Sequence, residues 1–261
     1  MDKYDVIVIG AGPAGFAAAI RSAQLDLKTA CVDAWRNRHG EYVLGGACLQ
    51  AGCIPSKAML DSSEEYFDLK NRMASHGIEI DNVRLNLQGM IERKHLIVED
   101  LTRDAAILFE KHGVTWIKGM GALLLNQQVA VTEPVGGTET VIEGRDIIIA
   151  TGSTARELSG IKPDDDRIVL PRSALDFDEV PRRLGVVGAG AVGVEMGAVW
   201  NRLGSEVVLL DALDDFLFYV DHDVAERALE IFVAQGLDIR MGTRVLAVEV
   251  RGDEVPVSYT H

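Results

Sequence analysis

Cysteine is scarce in this chain of 261 residues, which carries only Cys31, Cys48 and Cys53. That is too few for a secreted domain stapled by disulfides. Basic charge is also in short supply, with 26 Lys and Arg against 40 Asp and Glu and a net charge of −14. Such an excess of acid excludes a broad binder of phosphate backbones, so no nucleic-acid partner is expected. Long apolar runs are missing as well. The only early one, Val6–Ile9, falls far short of a signal-peptide core or a membrane span. No membrane partner is expected, and the chain reads as one made and kept in the cytoplasm. What is present is ordinary globular material, 48% hydrophobic and 25% charged. That suffices to bury a core without staples. Glycine is plentiful, at 26 residues, and much of it sits in two places.

Those two places form an internal repeat. Residues 5–33 read DVIVIGAGPAGFAAAIRSAQLDLKTACVD, and residues 184–211 read LGVVGAGAVGVEMGAVWNRLGSEVVLLD. At an offset of 178 they align Gly10 with Gly188, Gly12 with Gly190, Gly15 with Gly193 and Asp33 with Asp211. Each copy is an apolar run, then G-x-G-x-x-G, an amphipathic run of small residues, a second apolar run and an acid. In both, the acid comes 23 positions after the first glycine. One such glycine motif could merely let an alanine-rich helix pack closely. Two, each with strand, helix and acid in place, read as two dinucleotide sites. The first glycine permits a tight turn, the second admits a pyrophosphate to the backbone, and the third brings helix and strand together. The helix N-terminus then presents unpaired N–H groups to the anion.

The predicted class is α/β with two Rossmann-like domains, over residues 1–155 and 156–261, the second incomplete. Between the repeats, residues 56–76 and 88–112 carry helical periodicity. Val114–Val141 alternates like a β-meander, and Arg145–Thr151 reads as a separate buried strand. The run 162–167, KPDDDR, reads as a solvated loop near the domain boundary. Strands are predicted over Leu237–Val250 and Val255–Tyr259.

The second informative stretch is GGACLQAGCIPSK, residues 45–57. On an ideal helix a C-x₄-C pair has its Cα atoms about 8–9 Å apart, whereas a disulfide needs less than about 7 Å. Bridging therefore demands a distorted turn, which Gly45, Gly46, Gly52 and Pro55 could supply. A helix N-terminus and Lys57 would favour thiolate. On spacing alone, two unpaired buried thiols remain an alternative. Metal ligation is disfavoured, because C-x₂-C is absent and the six histidines form no ligand-spaced cluster. Cys31 reads as core.

GGACLQAGCIPSKAML resembles the redox helix of the two-cysteine flavoprotein disulfide reductases, and its IPSK ending is most similar to the branch that oxidises dihydrolipoamide. DVIVIGAGPAGFAAAI, IIIATGS and the whole second repeat fit the same family, and the resemblance covers the full chain. It implies FAD in the first domain and NAD in the second. FAD would be held by Gly10, Gly12, Pro13, Ala14, Gly15, Asp33, Gly46, Ala47, Gly121, Thr151, Gly152 and Ser153, with Lys57 near the flavin. Gly188, Gly190, Gly193, Asp211 and Val245 would line the NAD site. Cys53 is implied to face the flavin, Cys48 to exchange with substrate, and Lys57 to pair with Glu195, these four forming the catalytic set. The implied partners are a lipoyl-bearing acyltransferase or carrier protein of a 2-oxoacid dehydrogenase or glycine cleavage system, and a second subunit in a homodimer.

Departures are few. The family commonly has Thr, Asn and Val where this chain has Ala47, Gln50 and Ala51, and often Glu where it has Asp33 and Asp211. Family members are also much longer, so the resemblance implies an N-terminal part that is inactive by itself. Two alternatives stand beside this reading: a reductase of the mercuric or glutathione type, and a non-catalytic dinucleotide-binding module.

Overall fold

The computed structural model describes residues 2–133, 136–156 and 158–260. It divides into two compact units, residues 1–55 with 95–154, and residues 56–94 with 155–261. Residues 56–94 thus pack with 155–261 in the second unit.

The first unit is built on a six-stranded sheet. Its strands are β1 (Lys3–Ile9), β2 (Thr29–Asp33), β3 (Thr115–Lys118), β4 (Met120–Leu123), β5 (Gln128–Thr132) and β6 (Glu139–Ile149), in the order β3-β2-β1-β6-β5-β4. β1 pairs in parallel with β2 and β6, and β2 pairs in parallel with β3. The β-branched run of β1 suits a strand covered on both faces. Val6 and Val8 pack on one face with Ala19 and Phe109, while Ile7 and Ile9 pack on the other with Val32 and Val129. Helix α1 (Pro13–Gln24) supplies Ala19, and its Phe16 stacks on Phe109 at 5.2 Å.

Two sequence expectations change here. β3 is not part of the meander, which comprises only β4, β5 and β6. The strand predicted over Arg145–Thr151 is the second half of β6, whose first half runs antiparallel to β5 and whose second runs parallel to β1. One strand serves both partners by using its two edges, with Glu143 paired to both Lys3 and Gln128, and next to it Gly144 makes room for the Ile7 side chain, which a Cβ there would meet at 2.8 Å.

After β2 come α2 (Gly46–Ala51), α3 (Cys53–Asn71), a 3₁₀ turn (Met73–His76) and α4 (Leu87–Lys111), close to the two helices expected over 56–76 and 88–112. The second unit holds α5 (Pro171–Ala174), β7 (Arg183–Val187), α6 (Ala191–Leu203), β8 (Glu206–Leu210), α7 (His222–Ala234) and β9 (Asp238–Arg240). Strands β7, β8 and β9 form a parallel sheet in that order. β10 (Val245–Val248) and β11 (Val257–Tyr259) make a separate antiparallel hairpin. The single strand predicted over Leu237–Val250 is thus two, broken at Gly242, whose φ of +63° turns the chain.

The core of the second unit surrounds Trp200, which is fully buried among Met196, Val199, Leu209 and Leu237, with Met59 and Ile91 packed in. Its indole N–H donates to the Ala174 carbonyl at 3.1 Å. Buried Lys94 donates to the Leu175 carbonyl at 2.8 Å and to the Asp176 carboxylate, so its charge is satisfied where it is dry. In the 162–167 loop, Asp164 accepts from the N–H groups of Ile168, Asp166 and Arg167, which hold its carboxyl below the ordinary range.

Candidate active site

Both glycine motifs take the form that anion binding needs. In the first, Gly10 has φ +103°, and a Cβ on it would stand 2.2 Å from the Ala150 carbonyl oxygen. A Cβ on Gly15 would stand 1.8 Å from the Gly10 oxygen, so only glycine lets α1 come down onto the turn. Gly12 caps the helix, and the nearest atom to a Cβ there is 4.0 Å away, leaving its outer side open. Pro13 opens the first turn, where its fixed φ fits and its missing N–H costs nothing. Ala14 is exposed.

Asp33 ends β2 and accepts from the Ala11 N–H at 2.6 Å and the Trp35 N–H at 2.7 Å, one on each oxygen. A carboxylate has about four acceptor sites, so both oxygens can still take a ribose hydroxyl. Thr151 follows the end of β6 beside Gly10, Gly152 has φ +75°, and Ser153 is exposed. Gly121, on β4, lies over Ile9 and Val32, where a Cβ would meet their methyl groups at 2.9 and 3.2 Å.

The second motif repeats the first. Gly188 has φ +109°, Gly190 caps α6, and a Cβ on Gly193 would stand 2.0 Å from the Gly188 oxygen. Nothing lies within 4 Å of a Cβ built on Gly188 or Gly190. Asp211 accepts from Ala189 N–H at 2.7 Å and Leu213 N–H at 2.9 Å, the same arrangement as at Asp33. The Thr243 N–H donates to the Asp211 carbonyl at 2.7 Å, and Val245 begins β10 two residues later. Sequence reasoning missed Arg240, which the pairing of β9 with β8 sets next to Asp211. Its guanidinium is engaged by Asp238, at 2.6 Å, and by the Tyr259 hydroxyl, at 2.7 Å.

The cysteines are joined. The Cys48–Cys53 disulfide has a Cα–Cα separation of 4.6 Å, about half that of the same spacing on an ideal helix. The helix breaks to allow this: α2 stops at Ala51, Gly52 leaves helical geometry at φ −140° and ψ −109°, and Cys53 starts α3. Cys53 is exposed and Cys48 is partly buried. Gly46, with φ +57°, brings α2 against the first glycine motif, since a Cβ on it would lie 2.7 Å from the Gly12 Cα. Ala47, next to it, is exposed. Gln50, where the family commonly has Asn, donates from its amide to the Leu44 carbonyl and to Thr102 Oγ1, both at 2.8 Å. The sequence held no signal for that tether, because its partner is 52 residues away.

Lys57 follows Cys53 by one helical turn. Its ammonium pairs with Glu195 of α6 at 2.5 Å, and Ser56 Oγ reaches the other Glu195 oxygen at 3.3 Å. Among the described residues, no group of three or more His, Cys, Asp or Glu could hold a metal ion, and no helix is long and apolar enough to cross a membrane.

Cys31 is a different kind of thiol. Burial, aided by the Asp33 charge, pushes its pKa up to about 12. At about pH 8 it stays protonated and inert. The native chain should therefore take up two alkyl groups after reduction, at Cys48 and Cys53, and a third only in denaturant. Mass spectrometry of the alkylated chain checks this, and three labels without denaturant would contradict the burial argument.

The chain matches the pyridine nucleotide-disulphide oxidoreductase family over residues 4–260. It is 43% identical over 260 residues to a dihydrolipoyl dehydrogenase of Cupriavidus necator, covering 99% of this chain and 54% of that protein. It is 41% identical to a leghemoglobin reductase of Vigna unguiculata, covering 98% of this chain and 48% of that protein. Among solved structures, LpdA of Mycobacterium tuberculosis superposes with a TM-score of 0.86 at 26% identity, over all of this chain and 55% of that one. The chain thus spans about half the length of the curated relatives it matches. With a disulfide across a broken helix and two glycine motifs of matching geometry, the chain belongs to the pyridine nucleotide-disulphide oxidoreductase family.

Proposed function

We propose that the whole protein oxidises protein-bound dihydrolipoamide to lipoamide, with FAD at the first glycine motif and NAD⁺ at the second. The observation that carries this is the Cys48–Cys53 disulfide, whose Cys48 lies in α2, the helix that Gly46 brings close to Gly12 of the first motif. The residues present fit both dinucleotides, since Gly12 and Gly190 leave their outer sides open and each second-strand aspartate keeps acceptor sites for a ribose. When bound, the flavin would supply a two-electron acceptor, and NAD⁺ the final one.

The protein's own thiol chemistry follows from helix position. A substrate thiolate attacks Cys48, the S–S bond breaks, and Cys53 leaves as thiolate. The second substrate thiol then closes the substrate disulfide and releases Cys48 as a thiol. Cys53 is the better leaving group because it begins a helix of 19 residues, whose unpaired N–H groups stabilise its anion. Glu195 holds Lys57 in place through its ion pair.

The proposed partners are a lipoyl-bearing acyltransferase or carrier protein and a second subunit, in the cytoplasm. The test is NADH formation by the whole protein from dihydrolipoamide and NAD⁺, set beside the competing activities, NADH or NADPH oxidation with glutathione disulfide or mercuric ion as electron acceptor. Turnover confined to either competitor would overturn the reading.

Nucleotide choice follows from Asp211. A 2′-phosphate would meet its carboxylate, with Asp214 and Asp215 close along the chain, and the neighbouring Arg240 is already engaged by Asp238. Like charges in contact cost several kcal/mol, so NAD⁺ should be preferred over NADP⁺ by about a hundredfold or more in kcat/KM. Equal use of the two would contradict the assignment.

A further inference from the structure

The two glycine motifs differ at one point that their shared spacing hides. In the first, the opening position of the helix is Pro13, which has no N–H to offer. In the second it is Ala191, and its N–H donates to the Tyr219 hydroxyl oxygen at 3.0 Å. Tyr219 lies 28 residues away, in the segment between β8 and α7. It is 58% exposed, and its ring packs edge-on against Phe218, which is 67% exposed. The preceding Leu217 has φ +48°, and the Val220 N–H closes a turn onto its carbonyl at 2.7 Å. The segment therefore holds the phenol at the mouth of the second motif without burying it.

We propose that Tyr219 sets the affinity of the second dinucleotide site by competing with the pyrophosphate for the Ala191 N–H; this rests on the reading of that motif as a nucleotide site. An amide N–H carries one hydrogen, and a phosphate oxygen would need to lie about 2.9 Å from that nitrogen, in the space the phenol oxygen fills. The two cannot share it. Binding through this N–H therefore breaks the tyrosine bond and swings an exposed ring into water. The first site, with proline at the same position, has no such competition. A net hydrogen bond of about 1 kcal/mol corresponds to roughly three- to tenfold in affinity.

The test is a double-mutant cycle on NAD⁺ binding, measured by calorimetry with the purified chain. Tyr219→Phe keeps the ring and its contact with Phe218 while removing the oxygen. It should tighten NAD⁺ binding by about three- to tenfold. Ala191→Pro gives the second helix the first helix's opening residue, at a position where proline fits. In that background Tyr219→Phe should change the affinity by less than about twofold. If Tyr219→Phe leaves binding unchanged or weakens it, or if the gain survives in the proline background, the competition is overturned while the nucleotide site stands. Absence of NAD⁺ binding in the wild type and all variants would instead overturn the site itself, and the role of Tyr219 with it.

Discussion

Replacing either Cys48 or Cys53 by serine in the whole protein is expected to reduce dithiol-dependent NADH formation by roughly a thousandfold or more, with the double variant no worse. The two sulfurs act as one group, since neither can accept electrons from a dithiol without the other, so their losses do not add. The variants should nevertheless differ spectroscopically. With Cys53 as the sulfur that faces the flavin, Cys48→Ser leaves a free thiolate at the start of α3, and long-wavelength thiolate-to-flavin absorbance should be present without added reductant. Cys53→Ser should show none. The same spectrum from both would reverse or abolish the assignment of the two sulfurs. The structure makes the control straightforward, because Cys31 is buried and protonated and cannot substitute for either.

The second large effect separates glycines that hold the fold from glycines that admit a ligand. Gly193→Ala would put a methyl 2.0 Å from the Gly188 carbonyl oxygen, and Gly15→Ala would put one 1.8 Å from that of Gly10. Both obstacles are backbone atoms, which cannot step aside as the end of a side chain can. The helix has to lift from its strand, at a cost of roughly 2–3 kcal/mol. Gly190→Ala is the contrast. Its φ is −74° and nothing lies within 4 Å of the added carbon. Stability should change by less than about 0.5 kcal/mol, while NAD⁺ affinity falls by about tenfold or more, because the methyl stands where the pyrophosphate approaches. Urea midpoints and calorimetric affinities on the three variants decide this. A Gly190→Ala chain that binds NAD⁺ normally would remove the second motif from the nucleotide site.

Much of the fold is local in origin, and so it was legible. The runs ending in Gly10 and Gly188, the small-residue helices after them and the acids at Asp33 and Asp211 all lie within one βαβ reach. Hydrophobic period and glycine geometry act over that distance. The helices over 56–76 and 88–112 were read for the same reason, with ends shifted by a few residues. The expected loop at 162–167 is a loop held by Asp164. Sequence pattern and structure part where one stretch of chain has two partners. β6 reads as two segments because its first half alternates while its end, Ile147–Ile149, is a run of isoleucine; pairing with β5 and then β1 makes it one strand, and Ile148 and Ile149 are exposed where the apolar run predicts burial.

The site divides in the same way. By its sequence alone, the chain determined two dinucleotide motifs and one close cysteine pair, because spacing, glycine conformation and sulfur chemistry are properties of short segments. Tertiary structure decided what those segments do together. The 4.6 Å approach of the cysteines depends on the break at Gly52. Closing Lys57 onto Glu195, 138 residues away, requires α3 and α6 to meet. Seating the Tyr219 hydroxyl on the Ala191 N–H, and Gln50 on Thr102, likewise requires distant elements to be brought into register. Contacts across such distances arise only when packing of buried surfaces returns the chain to itself, and no periodicity within a short segment encodes where that return falls.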